Sequence, residues 1–199
     1  LPPKSNAGQY FNEELIVKSQ KSKNLGMADD PLIATCDFAW GGDDDNCIRF
    51  RHGLDMWSIP AIKIPGEQTR EPDFMVSLLA DTLSRDWAPG LGKRKMKVAA
   101  LFTDGSGISS RVVTRLRQLG FKNIVEVNWA AHSMNPAKWR NVKAMMIERF
   151  LELLQNGGSI DESKELAADM RMIMPVNYVP LQFEDKKLMK KRHGKSTDD

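Results

Sequence analysis

The hydrophobic period changes once along this chain, near Glu71-Pro72, and that change restricts it to few folds. Before it, short apolar runs stop at turn residues in the manner of strands. Leu32 to Phe38, closed by Trp40-Gly41-Gly42, and Cys47 to Arg51 read as the two arms of a hairpin. Met56 to Ile64 reads as a third short strand, with Pro60 confining part of it to an edge or a bulge. After Pro72, helices and strands alternate. A helix opened by that proline carries Met75, Leu78, Leu79, Leu83 and Trp87 at helical spacing and ends at Gly90 and Gly92. Lys97 to Thr103 predicts a buried strand. Asp104-Gly105-Ser106-Gly107 then turns into a helix with Val112, Val113, Leu116 and Leu119 that stops at Gly120. Asn123 to Asn128 is the next strand, and a long helix over 138–155 turns Val142, Met145, Met146, Phe150, Leu153 and Leu154 inward. A helix near 162–173 and a strand near 178–184 precede a basic tail. The order β-β-β-α-β-α-β-α implies an α/β fold, a mixed sheet flanked by helices.

The composition supports a packed core, with 41% hydrophobic and 28% charged residues. No apolar run approaches the length of a membrane span. Residues 1–30 are polar and broken by Pro2, Pro3, Gly8 and Gly26, and read as a linker or arm before a folded domain over 31–199. The first residues lack the charged and apolar regions of a signal peptide, and the start without Met reads as a fragment of something longer. Two cysteines make no disulfide framework, which points to the cytosol by default. A hairpin centred on Gly41-Gly42 would set Cys36 across from Cys47 as a reduced pair. Net charge is only +3, but unevenly placed. Lys186, Lys187, Lys190, Lys191, Arg192 and Lys195 crowd the C-terminus, against an acidic knot at Asp43-Asp44-Asp45. This is compatible with nucleic acid without demanding it.

Several chemistries drop out. His52, His132 and His193 lack metal-ligand spacing and cysteine partners, which argues against a zinc site. His193-Gly194-Lys195-Ser196-Thr197 mimics the end of a phosphate-binding P-loop, but Met189 stands where that motif needs its first glycine. Asp104-Gly105-Ser106-Gly107 fails the spacing of a nucleophile elbow. What remains is a pair of aspartates at strand ends. Asp37 falls in an otherwise apolar strand, where a lone buried carboxylate costs on the order of several kcal/mol unless paired or bound to a cation. It is either a hydrogen-bonded core aspartate or turn cap, or a ligand. Asp104 follows a buried strand, where α/β sheets present their carboxyl ends to ligands, and it is either a helix N-cap or a ligand. Adjacent strands presenting both would form a hard-oxygen pocket for Mg2+ or Mn2+. Phosphodiester hydrolysis uses such pockets, because two ions roughly 3.5–4 Å apart stabilise the attacking and leaving oxygens. Gly41, Gly42, Gly105 and Gly107 beside them would let the backbone approach a phosphate, or serve as ordinary turns.

Four segments resemble one family in its own order. Ala34-Thr35-Cys36-Asp37-Phe38-Ala39-Trp40-Gly41-Gly42-Asp43-Asp44 resembles the first motif of the nuclease domain of the large terminase subunit of tailed double-stranded DNA bacteriophages. Phe102-Thr103-Asp104-Gly105-Ser106-Gly107-Ile108, with the helix ending Leu116-Arg117-Gln118-Leu119-Gly120, resembles its second. Asn141 to Met146, leading to Asn156-Gly157-Gly158, is similar to the helix between, and Lys190 to Asp198 resembles the closing segment, with Thr197 where the family has Pro. Together they cover residues 33–198. The resemblance implies a ribonuclease H-like, divalent-metal-dependent endodeoxyribonuclease that cuts concatemeric viral DNA during packaging. It implies two Mg2+ or Mn2+ ions held by Asp37, Asp43, Asp104 and Asp198, with Asp37, Asp104 and Asp198 catalytic. The last ligand is Asp198 or a residue just beyond 199. It further implies an N-terminal ATPase domain, a small terminase subunit and a portal protein as partners, double-stranded DNA as substrate, and the host cytoplasm, with no membrane. Lys190, Lys191, Arg192 and Lys195 would contact phosphates, or form a solvated terminus. Arg111, Arg115 and Arg117 are weaker candidates, and Trp129, His132 and Trp139 either stack on a base or pack under a loop. A junction resolvase or RNA–DNA hybrid nuclease would keep this fold, while a silent DNA-binding or portal-docking module would dispense with the metal.

Overall fold

The computed structural model describes residues 9–39, 44–90, 92, 94–105, 107 and 109–194. They fall into two compact units, Leu1–Ser22 with Trp129–Asp199, and Lys23–Asn128. The first unit opens with helix α1 (Glu13–Lys21). The second then carries strands β1 (Leu32–Asp37), β2 (Asp45–His52), β3 (Asp55–Met56) and β4 (Ile62–Pro65), a 3-10 turn (Gly66–Thr69) and helix α2 (Pro72–Ser84). Strand β5 (Ala100–Asp104), helix α3 (Ser109–Gln118) and strand β6 (Ile124–Val127) complete it.

Its strands are ordered β6-β5-β1-β2-β3, with β4 also on β2. β6, β5 and β1 run parallel, and β2 is antiparallel to β1 and to β4. One face of this mixed sheet makes the core. Leu32, Ala34, Cys36, Ile48, Phe50, Leu101 and Ile124 pack there against Met75, Val76, Leu79 and Leu83 of α2 and Val112, Val113 and Leu116 of α3. Those helical residues recur three or four apart, the spacing that puts them on one stripe. The third strand read from sequence is two. Asp55 accepts the backbone N–H groups of Trp57 (3.1 Å) and Ser58 (2.9 Å), folding the chain away before Pro60, and β4 resumes beyond it. Trp87 lies outside α2, which ends at Ser84. Its backbone pairs with that of Met96 at 2.9 and 2.8 Å, its indole donates to the Thr82 carbonyl, and its ring lies 4.3 Å from that of Phe50.

The register corrects the cysteine pairing. β1 and β2 set Cys36 opposite Ile48 and Cys47 opposite Asp37. Directly opposed residues share a face, and neighbours along a strand do not, so the two thiols point to opposite faces. Both are reduced and buried.

The first unit continues with α4 (Val142–Gln155), β7 (Ser159–Ile160), α5 (Lys164–Met172), a hairpin of β8 (Pro175–Tyr178) and β9 (Leu181–Phe183), and α6 (Lys186–His193). Asn141 caps α4 by accepting from the Ala144 N–H at 2.9 Å, so the helix starts later than residue 138. Of α4, only Ala144 and Leu154 are fully buried; Val142, Met145, Met146, Phe150 and Leu153 are half-buried. The strand expected near 178–184 is a hairpin turning at Val179-Pro180. Residues 9–22, within the stretch that reads as an arm, pack into this unit. Asn12 caps α1, Phe11 and Ile16 are fully buried, and Arg171 grips Glu13 through two 2.7 Å bonds. As far as Gly194 the basic segment is also structured. Asp185 caps α6, Met189 is buried, and Gly194 ends the helix at φ +77°.

Candidate metal centre

Parallel strands β1 and β5 lie side by side, in register through Cys36 and Thr103. The next residues, Asp37 and Asp104, therefore end the two strands as neighbours, about 4.8 Å being the usual spacing between strands. The pleat settles where they point. Ala34 and Cys36 enter the core, which leaves Ile33, Thr35 and Asp37 on the other face. On β5, Leu101 and Thr103 are buried, and Asp104 shares a face with Phe102, opposite Thr35. Both carboxylates thus leave the sheet on one side, at the carboxyl ends of its parallel strands. Asp37 is exposed and Asp104 half-buried, so neither bears the cost of a core carboxylate. Nor is Asp104 a helix cap, since α3 begins only at Ser109.

Cys36 turns to the core face, where burial is the main force raising its thiol well above the ordinary value, followed by the charge of Asp37 and then by Cys47, so it stays protonated near neutrality. Gly105 donates its N–H to the Val127 carbonyl at 3.1 Å, extending the β5–β6 pairing past Asp104. A Cβ there would come within 3.1 Å of the Glu126 Cβ, so the close approach of β6 selects glycine.

Sequence reading missed Asn46. It is fully buried, and its Oδ1 accepts the Ala39 N–H at 3.0 Å. Its Nδ2 donates to the Ile64 carbonyl (3.1 Å) and to Thr69 Oγ1 (2.8 Å), and the Thr69 hydroxyl donates to the Gly66 carbonyl (2.9 Å). The only signal in the sequence was an amide two residues before Ile48 and Phe50, on the face they bury.

Other candidates sort as follows. Asp43, Asp198 and Lys195 lie outside the described residues. Among the described residues, no group of three or more His, Cys, Asp or Glu side chains is placed to hold a metal. Lys190 and Lys191 are exposed on α6. Arg192 pairs with Glu184 at 2.8 Å and donates to the Met172 carbonyl at 2.7 Å, tying α6 to its own unit. Arg117 pairs with Glu126 at 2.6 Å, whereas Arg111 and Arg115 are exposed. Trp139 is buried and packs with Leu181 and Phe183, which makes it a core residue. In the P-loop mimic, Gly194 is the residue that ends α6.

A pair of carboxylates suits Mg2+ or Mn2+, ions often held by one or two carboxylates plus water and phosphate. No family model and no curated protein matches the chain. Solved structures do. The nuclease domain of the large terminase subunit gp2 of bacterial virus Sf6 superposes with a TM-score of 0.63 at 13% identity, covering 96% of this chain and 94% of that one. The large terminase nuclease of thermophilic phage G20c gives a TM-score of 0.52 at 14% identity, covering 82% and 76%. A mutant of the Sf6 domain was solved with manganese and with calcium. The chain has the fold of phage terminase nuclease domains.

Proposed function

We propose that the chain is the nuclease part of a terminase large subunit, a divalent-metal-dependent endodeoxyribonuclease that cuts concatemeric double-stranded DNA. The observation carrying this reading is the placement of Asp37 and Asp104 on one face at neighbouring strand ends. These two would hold the ions, with Asp43 and Asp198 (or a residue beyond 199) completing the set. Two bound divalent ions supply charge to the attacking and leaving oxygens of a phosphodiester displacement. The protein's share is to fix its carboxylates on the rigid ends of paired strands, where they keep their separation without reorganising. Without a cation the same carboxylates repel DNA, so binding at the centre and cleavage would both require the ion. Lys190, Lys191 and Lys195, with Arg192 in a supporting position, would add salt-sensitive, sequence-independent affinity for phosphates. In the setting of such a subunit, the partners would be an N-terminal ATPase domain, a small terminase subunit and a portal protein, in the host cytoplasm. No described helix is long and apolar enough to cross a membrane.

Nicking of supercoiled plasmid in Mn2+, with a chelator lane and an Asp104→Asn control, tests the reading. Metal-dependent nicking that disappears in the variant is expected. Equal nicking by Asp37→Ala, Asp104→Ala and parent would overturn it, and DNA binding indifferent to chelator without cleavage would favour a silent binding module.

A further inference from the structure

The β1–β2 ladder stops at Asp37 opposite Cys47, although the next register step would oppose Phe38 to Asn46. There the backbone pairing is replaced by a side chain. Asn46 Oδ1 takes the Ala39 N–H, two residues beyond Asp37. The amide itself cannot swing, because both its hydrogens are committed, one to the Ile64 carbonyl across the β2–β4 pair and one to Thr69. Thr69 is buried and anchored in turn on the Gly66 carbonyl, and the Gly66 N–H donates to the Asp44 carbonyl at 3.0 Å. The hydrogen bonds thus fasten the chain at Ala39, just after Asp37, and at Asp44, where it re-enters β2, to the same turn. A fully satisfied buried amide of this sort costs little to keep and much to break, since each orphaned partner loses its bond without regaining water.

We propose that Asn46, braced by Thr69, is a positioning residue that fixes the direction in which the chain leaves Asp37, and so holds that carboxylate beside Asp104 for a divalent cation. The inference rests on the metal-dependent nuclease reading. Asn46 lies on the opposite face of the sheet from Asp37, touches no substrate and acts only through the backbone between them. Residues that orient metal ligands typically change metal affinity about 10- to 100-fold when removed.

The test is Mn2+ binding without DNA, read from the electron paramagnetic resonance signal of the free ion, together with the melting temperature in chelator. Three variants suffice: Asn46→Ala, which removes every bond of the amide; Thr69→Val, which removes only the brace; and Asn123→Ala. Asn123 makes a comparable bond to the Val98 carbonyl (2.9 Å), before the start of β6, and reports general destabilisation. The expected result is Mn2+ affinity weakened about tenfold in Asn46→Ala, a smaller loss in Thr69→Val, and no change in Asn123→Ala even where its melting temperature falls. Should Asn46→Ala fail to fold, Thr69→Val decides. Parent-like Mn2+ affinity in the folded Asn46 and Thr69 variants, or an equal loss in Asn123→Ala, overturns the positioning role while a parent that binds Mn2+ and nicks plasmid leaves the nuclease reading intact. A parent that neither binds Mn2+ nor nicks plasmid removes both.

Discussion

Replacing Gly105 by alanine should slow DNA cleavage while scarcely affecting stability. The added Cβ would stand 3.1 Å from the Glu126 Cβ, where ordinary contact begins near 3.4 Å. Both atoms are attached directly to backbone, so no rotamer change relieves the contact. The end of β5 and the edge of β6 must part by a few tenths of an ångström. Asp104 immediately precedes Gly105 and moves with it. Misplacing a reacting group by about 1 Å costs roughly 100-fold, so a shift of this size corresponds to about 3- to 10-fold in rate. Stability responds differently. Alanine restricts the unfolded chain by about 0.4–1 kcal/mol relative to glycine, which offsets the crowding, and a net change within about 1 kcal/mol moves the melting temperature by no more than about 4 °C.

The assay is single-turnover plasmid nicking at saturating Mn2+, with melting curves alongside. Two double variants make it decisive. Adding Glu126→Gly removes the opposing Cβ and should return the rate toward that of the Glu126→Gly single variant. Adding Glu126→Ala keeps the Cβ, although it also removes the ion pair with Arg117, and should leave the defect in place. Parent-like cleavage by Gly105→Ala, or equal rescue by alanine and glycine at 126, would refute the link between β6 crowding and Asp104.

Three further outcomes are expected. In the native chain neither cysteine should react readily with a thiol reagent at pH 8, and both should react after unfolding without reductant, since Cys36 and Cys47 are buried and reduced; fewer than two thiols on unfolding would contradict this. The hydrogen bond from Arg171 is the main cause holding Glu13 below the ordinary glutamate value, so its share of stability is present above that value and is lost as the pH falls through the lowered one. Glu13→Gln should therefore melt with a shallower acid dependence below about pH 4.5, and at pH 7 should cost under about 1 kcal/mol, the pair being exposed. Finally, Lys190→Ala with Lys191→Ala should reduce the slope of log affinity for duplex DNA against log salt by about 1.8, near 0.9 for each phosphate contact; an unchanged slope would remove α6 from the DNA interface.

What was legible in the sequence divides along a physical line between local and non-local information. β1, β5 and β6 were readable as short, mostly apolar runs and β2 by its alternation of Ile48 and Phe50 with arginines, and that made Asp37 and Asp104 recognisable as strand-end carboxylates. Their sharing of a face was not readable, because it depends on the register between strands more than sixty residues apart in sequence. The cysteines show the same limit at shorter range. A hairpin centred on Gly41-Gly42 predicts Cys36 opposite Cys47, but the β1–β2 register differs by one residue, and a one-residue difference reverses every face. That offset is also what places Asp37 opposite Cys47 and sets Asn46 at the step where the ladder stops. Trp87 has the right spacing for α2, yet helical spacing states only that residues could share a stripe. The pairing with Met96 and the packing on Phe50 gave its ring a half-buried position outside the helix. The tail misled for the converse reason. Its charge density reads as solvated chain, yet Met189 is buried and Arg192 bonds Glu184 and the Met172 carbonyl, partners that the run of lysines does not reveal. In each case the residue type was informative and its partner was not, so strand-end chemistry can be proposed from sequence while the bonds that aim it require the fold.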